Sequence, residues 1–161
     1  MKKYFLILFL LFLFKTGYSQ ELVKADMNVL DSIKSANKGK VILFNFWATW
    51  CRPCVEEFPD LLKLNDNYND SSFKLVLVSL DFGKSFEEKT MEFLKKNDVD
   101  FVTYFNGFKK DEDLINYMSK DWEGSIPATF IYDKKGVFRN SFIGKQSYET
   151  FSNAVKKLVN K

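Results

Sequence analysis

A chain of 161 residues, 46% of them apolar and 17% aromatic, carries enough apolar side chain for one packed core, which argues against a disordered or fibrous protein. Three of its 24 basic residues, Lys2, Lys3 and Lys15, fall in residues 1–19, which hold no acid, and the other 21 balance 21 acidic residues. A near-neutral remainder with only Arg52 and Arg139 as arginines has no concentrated basic face for phosphate, so nucleic acid is not an expected partner.

At the start, Lys2 and Lys3 precede an unbroken apolar stretch from Tyr4 to Phe14, followed by Lys15 and the small residues Gly17 and Ser19. This order reads as a secretory signal peptide over residues 1–19, cleaved after Ser19, with residues 20–161 as one domain. Crossing a bilayer takes about 20 apolar residues and this stretch is roughly half that, so an uncleaved membrane anchor is the weaker reading. No cysteine follows the stretch, which leaves no N-terminal site for lipid attachment. Export implies an oxidising periplasmic or other extracytoplasmic setting.

Further on, Asp26 is placed to cap a helix carrying Leu30, Ile33 and Ala36 and ending at Asn37-Lys-Gly39. Val41 to Trp47 is almost continuously apolar, as a strand covered on both faces should be. A helix from Cys51 to Asn69 spaces Val55, Phe58 and Leu62 helically, Asp70-Ser-Ser72 makes a turn, and Phe73 to Leu80 is a second apolar strand. Phe86, Thr90, Phe93 and Leu94 mark another helix, Phe101 to Phe105 another strand, and Asp111-Glu-Asp113 the acidic start of a helix bearing Leu114, Ile115 and Met118. Ala128–Tyr132, the turn Asp133–Gly136 and Val137–Ile143 read as a hairpin; Ser147 then caps a helix with Tyr148, Phe151, Val155 and Leu158. Helix-linked strands of this order predict an α/β fold with parallel pairing.

The only two cysteines, Cys51 and Cys54, sit where the first apolar strand passes into a helix. As a staple they would close a two-residue loop, the length at which a disulfide stabilises least. As zinc ligands they lack company, since a structural site takes four Cys or His ligands and the chain has no histidine. The missing histidine also removes Cys-His nucleophilic catalysis. A redox pair remains, with a two-thiolate copper(I) site as the alternative. The unpaired N–H groups at the helix start favour a thiolate, the species that attacks disulfides.

Phe46-Trp-Ala-Thr-Trp-Cys-Arg-Pro-Cys54, joined to Ser125-Ile-Pro-Ala-Thr129, resembles the thioredoxin superfamily, and within it the exported thiol-disulfide oxidoreductases of the TlpA/ResA kind. All three prolines, Pro53, Pro59 and Pro127, fall where that superfamily has one, and the resemblance spans Val23 to Lys161. It implies a thioredoxin fold, a central mixed sheet flanked by helices, with a central insertion between Asp98 and Gly124. Typical TlpA/ResA proteins begin with a β-hairpin, whereas Asp26 to Asn37 reads as a helix.

Carried over residue by residue, the resemblance makes Cys51 an exposed nucleophile and Cys54 the thiol that resolves the mixed disulfide. Arg52 adds a positive charge favouring thiolate, or is merely solvated; Pro53 stiffens the turn between the sulfurs, and Pro59 kinks the helix. Pro127 matches the cis-proline beside the disulfide, and Ile126 the residue whose backbone pairs with an extended substrate. Asn45 stands where cytosolic thioredoxins have a buried aspartate. Glu57 matches the helix glutamate that TlpA/ResA proteins use for proton transfer, with Glu56 as the surface alternative. Trp50 packs beside the sulfurs and Trp47 belongs to site or core; Phe101, Tyr104, Phe105 and Phe108 line a peptide groove or the core. The implied activity is disulfide exchange with protein substrates, as a reductant fed by a membrane electron donor, in a monomer needing no metal or organic cofactor. A disulfide oxidant or isomerase, or a copper- or partner-binding module, are the alternatives.

Overall fold

The computed structural model describes residues 21–68 and 72–160. The expected signal segment, and the turn residues Asp70 and Ser71, lie outside the described residues. In chain order the elements are β1 (Leu22–Ala25), α1 (Met27–Ala36), β2 (Val41–Trp47), α2 (Arg52–Asn67), β3 (Phe73–Ser79), α3 (Phe86–Lys96), β4 (Thr103–Asn106), α4 (Asp111–Met118), β5 (Ala128–Tyr132), β6 (Phe138–Ile143) and α5 (Tyr148–Val159).

One six-stranded sheet runs in the order β1-β4-β3-β2-β5-β6. β1, β4, β3 and β2 pair in parallel, and β5 and β6 add an antiparallel hairpin beyond β2. β2 lies at the centre with all seven residues buried. Since side chains alternate across a strand, Val41, Leu43 and Trp47 join one core with Phe58 and Leu61 of α2, Leu94 of α3 and Phe151 and Val155 of α5. Ile42, Phe44 and Phe46 join the opposite core with Leu30 and Ile33 of α1 and Leu114 and Met118 of α4. Two apolar layers on a largely parallel sheet, closed by a hairpin, make a mixed α/β thioredoxin fold.

Local chemistry sets the helix starts. Asp26 accepts from the Val29 N–H at 3.0 Å, and the Ser147 hydroxyl accepts from the Thr150 N–H at 3.4 Å. Three acids open α4, where the helix dipole favours negative charge. The hairpin turns at Asp133–Gly136, where Gly136 takes the left-handed φ of +77° that a side chain would resist.

Some boundaries differ from those expected. β1, four residues long, has no counterpart among the sequence-based elements; it exists because β4 offers it a parallel edge. The strand expected over Phe101–Phe105 is shifted to Thr103–Asn106. In α2 the buried ridge is Cys54, Glu57, Phe58, Leu61 and Leu64, while Val55 and Leu62 are half-buried. Pro59 lies exposed within α2, which continues to Asn67.

Phe151 is the fully buried anchor that holds α5 to the sheet, with its ring edge-on to Phe142 at 6.0 Å. Phe151→Ala is expected to destabilise the fold by about 3–5 kcal/mol through lost burial and the cavity left behind, read as a lower urea midpoint.

Candidate active site

A three-residue loop carries the chain from the end of β2 to Cys51, the N-cap of α2. There Cys51 and Cys54 form a disulfide with an S–S distance of 2.05 Å. Cys51 Sγ takes the side-chain capping role, accepting from the Cys54 N–H at 3.3 Å. Such a bond becomes charge-assisted when the sulfur is a thiolate. Cys51 is only 6% exposed, against the expectation of an open nucleophile. The cause is the loop before β5: the Ile126 carbonyl oxygen lies 3.8 Å from Cys51 Sγ, a contact and not a hydrogen bond while the sulfur is oxidised. The Ile126–Pro127 peptide is cis, Pro127 is buried, and its carbonyl accepts from the Gly144 N–H at 2.8 Å, tying the loop to the end of β6.

Behind Cys54, one helical turn on, Glu57 is 1% exposed. Asn45 Nδ2 donates to Glu57 Oε1 at 2.9 Å and to Thr129 Oγ1 at 3.0 Å. The Gln146 N–H donates to Glu57 Oε2 at 2.7 Å. Burial raises the Glu57 pKa to about 7; the Gln146 and Asn45 hydrogen bonds and the Lys145 charge oppose the rise, and the Asp60 charge adds to it. A carboxyl poised near neutrality beside a buried thiol can take that thiol's proton. Glu56, its neighbour, is on the surface, bridged to Arg52 at 2.9 Å and to Lys145 at 2.9 Å, contacts that lower its pKa.

Arg52 has 90% of its side chain exposed and turns along the helix to Glu56. Pro53, at the second helical position, is exposed. Trp47 is core, packed on Phe58 and Phe93 at 4.8 and 4.9 Å. Trp50 is 60% exposed and stands edge to face with Phe82 at 6.0 Å. The four candidate groove aromatics overlap in role: Phe101, Tyr104 and Phe108 pack against the cores, and Phe105 and Phe108 line a cleft of about 710 Å³ that also reaches Trp50, Phe82 and Ile126. Sequence reasoning passed over Thr129, Gln146 and Asp81, which accepts from the Thr49 N–H beside the cysteine loop at 3.0 Å. Among the described residues, no group of three or more His, Cys, Asp or Glu is placed to hold a metal, and no helix is long and apolar enough to cross a membrane.

A thioredoxin fold with a cysteine pair at a helix start, faced by a cis-proline loop and backed by a buried glutamate, defines a thioredoxin-like redox protein. The chain belongs to the AhpC/TSA family, whose profile matches residues 21–141. It is similar to the thioredoxin-like protein YneN of Bacillus subtilis, 34% identical over 66% of this chain and 58% of that one. It is also similar to the thiol-disulfide oxidoreductase ResA of Bacillus cereus, 29% identical over 76% of this chain and 65% of that one. The chain thus spans about three-fifths of the length of these relatives. Among solved structures, StoA from Bacillus subtilis superposes with a TM-score of 0.58 at 26% identity, covering 72% of this chain and 82% of that one.

The Glu57 titration has a stability consequence. Folding raises its pKa from 4.5 to about 7, so between those values the folded state holds a proton that the unfolded state has lost. The Glu57 contribution to stability therefore falls as pH rises through that window, by about 3 kcal/mol for a shift of this size, and is constant outside it. Urea midpoints of the oxidised protein from pH 4 to 8 should show this slope, and Glu57→Gln should remove it.

Proposed function

We propose that this chain is an exported protein thiol-disulfide oxidoreductase that works as a reductant through Cys51 and Cys54. The observation that carries the proposal is the buried Glu57 carboxyl, hydrogen-bonded by Asn45 and Gln146 one turn behind Cys54. A structural crosslink has no use for a proton acceptor with a pKa near neutrality; a resolving thiol does. The similarity to the thiol-disulfide oxidoreductase ResA and to the sporulation thiol-disulfide oxidoreductase A of Bacillus subtilis supports the same reaction class.

In the reduced protein, the Cys51 thiolate attacks one sulfur of a client disulfide. The client's S–S bond breaks, a mixed disulfide forms, and the departing client thiolate takes a proton from water. Cys54 then passes its proton to the Glu57 carboxylate and attacks Cys51 Sγ. The mixed disulfide breaks, the second client thiolate leaves, and the Cys51–Cys54 disulfide remains. Two electrons have moved from protein to client, so a dithiol donor must restore the pair. In an oxidising compartment that donor is a membrane protein carrying electrons outward. Ile126 and Pro127 serve as the backbone edge along which the client segment lies, beside the sulfur that the Ile126 carbonyl already approaches. Arg52, Pro53 and Trp50 surround the reacting sulfur as secondary contributors.

Two measurements test the reading. The reduction potential of the pair against glutathione should lie near about −270 mV, the thioredoxin value; a potential near about −120 mV, that of DsbA, reverses the assignment to disulfide donor. In turnover, Cys51→Ser should abolish insulin reduction, and Glu57→Gln should slow it on the order of 100-fold while the mixed disulfide accumulates. Unchanged turnover in Cys51→Ser would refute the mechanism.

A further inference from the structure

Asp81 lies just beyond the end of β3 and takes hydrogen bonds from three separate parts of the fold. The Thr49 N–H donates to its two oxygens at 3.0 and 3.2 Å, and the Thr49 hydroxyl donates at 2.6 Å. The Ser79 hydroxyl donates at 2.7 Å from β3, and the Thr90 hydroxyl at 3.0 Å from α3. All of these donors are neutral, and among the described residues no Lys or Arg is ion-paired with this half-buried carboxylate. The strand ends are closed by the Leu80 N–H donating to the Trp47 carbonyl at 2.7 Å. A carboxylate gathering neutral donors from a loop, a strand end and a helix fixes their mutual position.

The fixed segment is the one that delivers the reactive cysteine. Thr49 sits inside the turn Ala48–Cys51, closed by the Cys51 N–H donating to the Ala48 carbonyl at 3.1 Å. That turn decides where Cys51 Sγ lies relative to the Cys54 N–H, 3.3 Å away. We propose that Asp81 is a positioning residue for Cys51, locking the Ala48–Cys51 turn so that the reduced sulfur is held against the first N–H groups of α2. Asp81 does not touch the sulfur. Its importance for turnover rests on the thiol-exchange function proposed above, but its effect on Cys51 does not need a client.

Geometry and charge pull in opposite directions, which makes the inference testable. If Asp81 acted on Cys51 only through its negative charge, removing it would favour the thiolate and lower the thiol pKa. If it acts by holding the turn, removing it frees the sulfur from its backbone donor and raises the pKa toward the ordinary 8.5. The ionisable groups nearest Cys51 on the elements around it are Arg52, Glu56 and Glu57 in the first turns of α2, with Asp60, Lys63 and Asp66 further along that helix, and Lys145 ahead of α5; the loop before β5 presents a carbonyl, that of Ile126.

The readout is the pH profile of Cys51 alkylation by iodoacetamide in the reduced full-length protein, located by mass spectrometry. In Asp81→Ala the midpoint should rise by roughly one unit, making alkylation at pH 7 up to about tenfold slower. Asp81→Asn should keep the wild-type midpoint or fall slightly below it. Its amide oxygen can still accept from Thr49, the hydroxyls can turn to accept from its NH₂, and the charge is gone. Val155→Ala, a core truncation in α5, should lower the urea midpoint and leave the profile in place. An unchanged or lowered midpoint in Asp81→Ala would overturn the proposal. If Asp81→Ala does not fold, Thr49→Val carries the test: it removes only the 2.6 Å hydroxyl donor, should raise the midpoint by a smaller step, and an unmoved midpoint overturns the proposal. A wild-type protein that fails to reduce insulin while these shifts occur would sink the function reading and leave the positioning role standing.

Discussion

The register of β2 between its two neighbours governs the whole site. With all seven of its residues buried, β2 must send Val41, Leu43 and Trp47 to one core and Ile42, Phe44 and Phe46 to the other. A slip of one residue would exchange those sets and turn Asn45 away from Glu57. In the register that satisfies both layers, Trp47 lies opposite Ser79 of β3 and Phe46 opposite Ala128 of β5. Parallel pairing with β3 brings two strand ends side by side, so the cysteine turn meets Asp81. Antiparallel pairing with β5 brings the end of β2 to the beginning of its neighbour, so the same turn meets the Ile126 carbonyl. Residues from three distant parts of the sequence meet around Cys51 because one strand is buried on both sides.

The choice of asparagine at position 45 follows from the charge behind it. An ionised carboxyl so deeply buried is costly unless donors reach it, and Glu57 receives two, from Asn45 and the Gln146 backbone. An aspartate at position 45 could not donate in its ionised form, and would set a second negative charge within hydrogen-bond distance of Glu57. The amide supplies a proton donor without that repulsion and links onward to Thr129 on β5. The donors do not cancel the burial penalty, which leaves Glu57 titrating near 7 instead of near 4.5.

How much of this was legible in the sequence depended on range. β2, α2, the hairpin and α5 are written in local apolar spacing and caps, and the cysteine and proline motifs mark the site directly. β1 was not legible because four residues, Leu22–Ala25, carry no periodicity of their own and become a strand only against β4. The low exposure of Cys51 comes from the Ile126 carbonyl, 75 positions away, which no local pattern reveals. Gln146 reaches Glu57 only through its backbone N–H, while its side chain donates to the Gly144 carbonyl, so residue type gives no clue to that role. Asp81 had a signal that went unused: once two parallel strands are accepted with Trp47 opposite Ser79, Thr49 and Asp81 fall opposite each other two residues on.

The same contacts bear on what would stabilise a thiolate at Cys51 once the disulfide is reduced. Arg52 is the obvious candidate in the sequence, being a fixed positive charge next to Cys51. Its guanidinium is nine-tenths exposed and committed to Glu56, which Lys145 also bridges, so its field at the sulfur is screened by water and offset by a neighbouring carboxylate. The Cys54 N–H, in contrast, points at the sulfur from 3.3 Å within a site where both cysteines are buried, and carries no counter-charge. A short backbone contact in a low-dielectric pocket outweighs a solvated ion pair. On the positioning role proposed for Asp81, a thiolate at Cys51 depends more on how accurately the turn is held at the start of α2 than on the charge of Arg52.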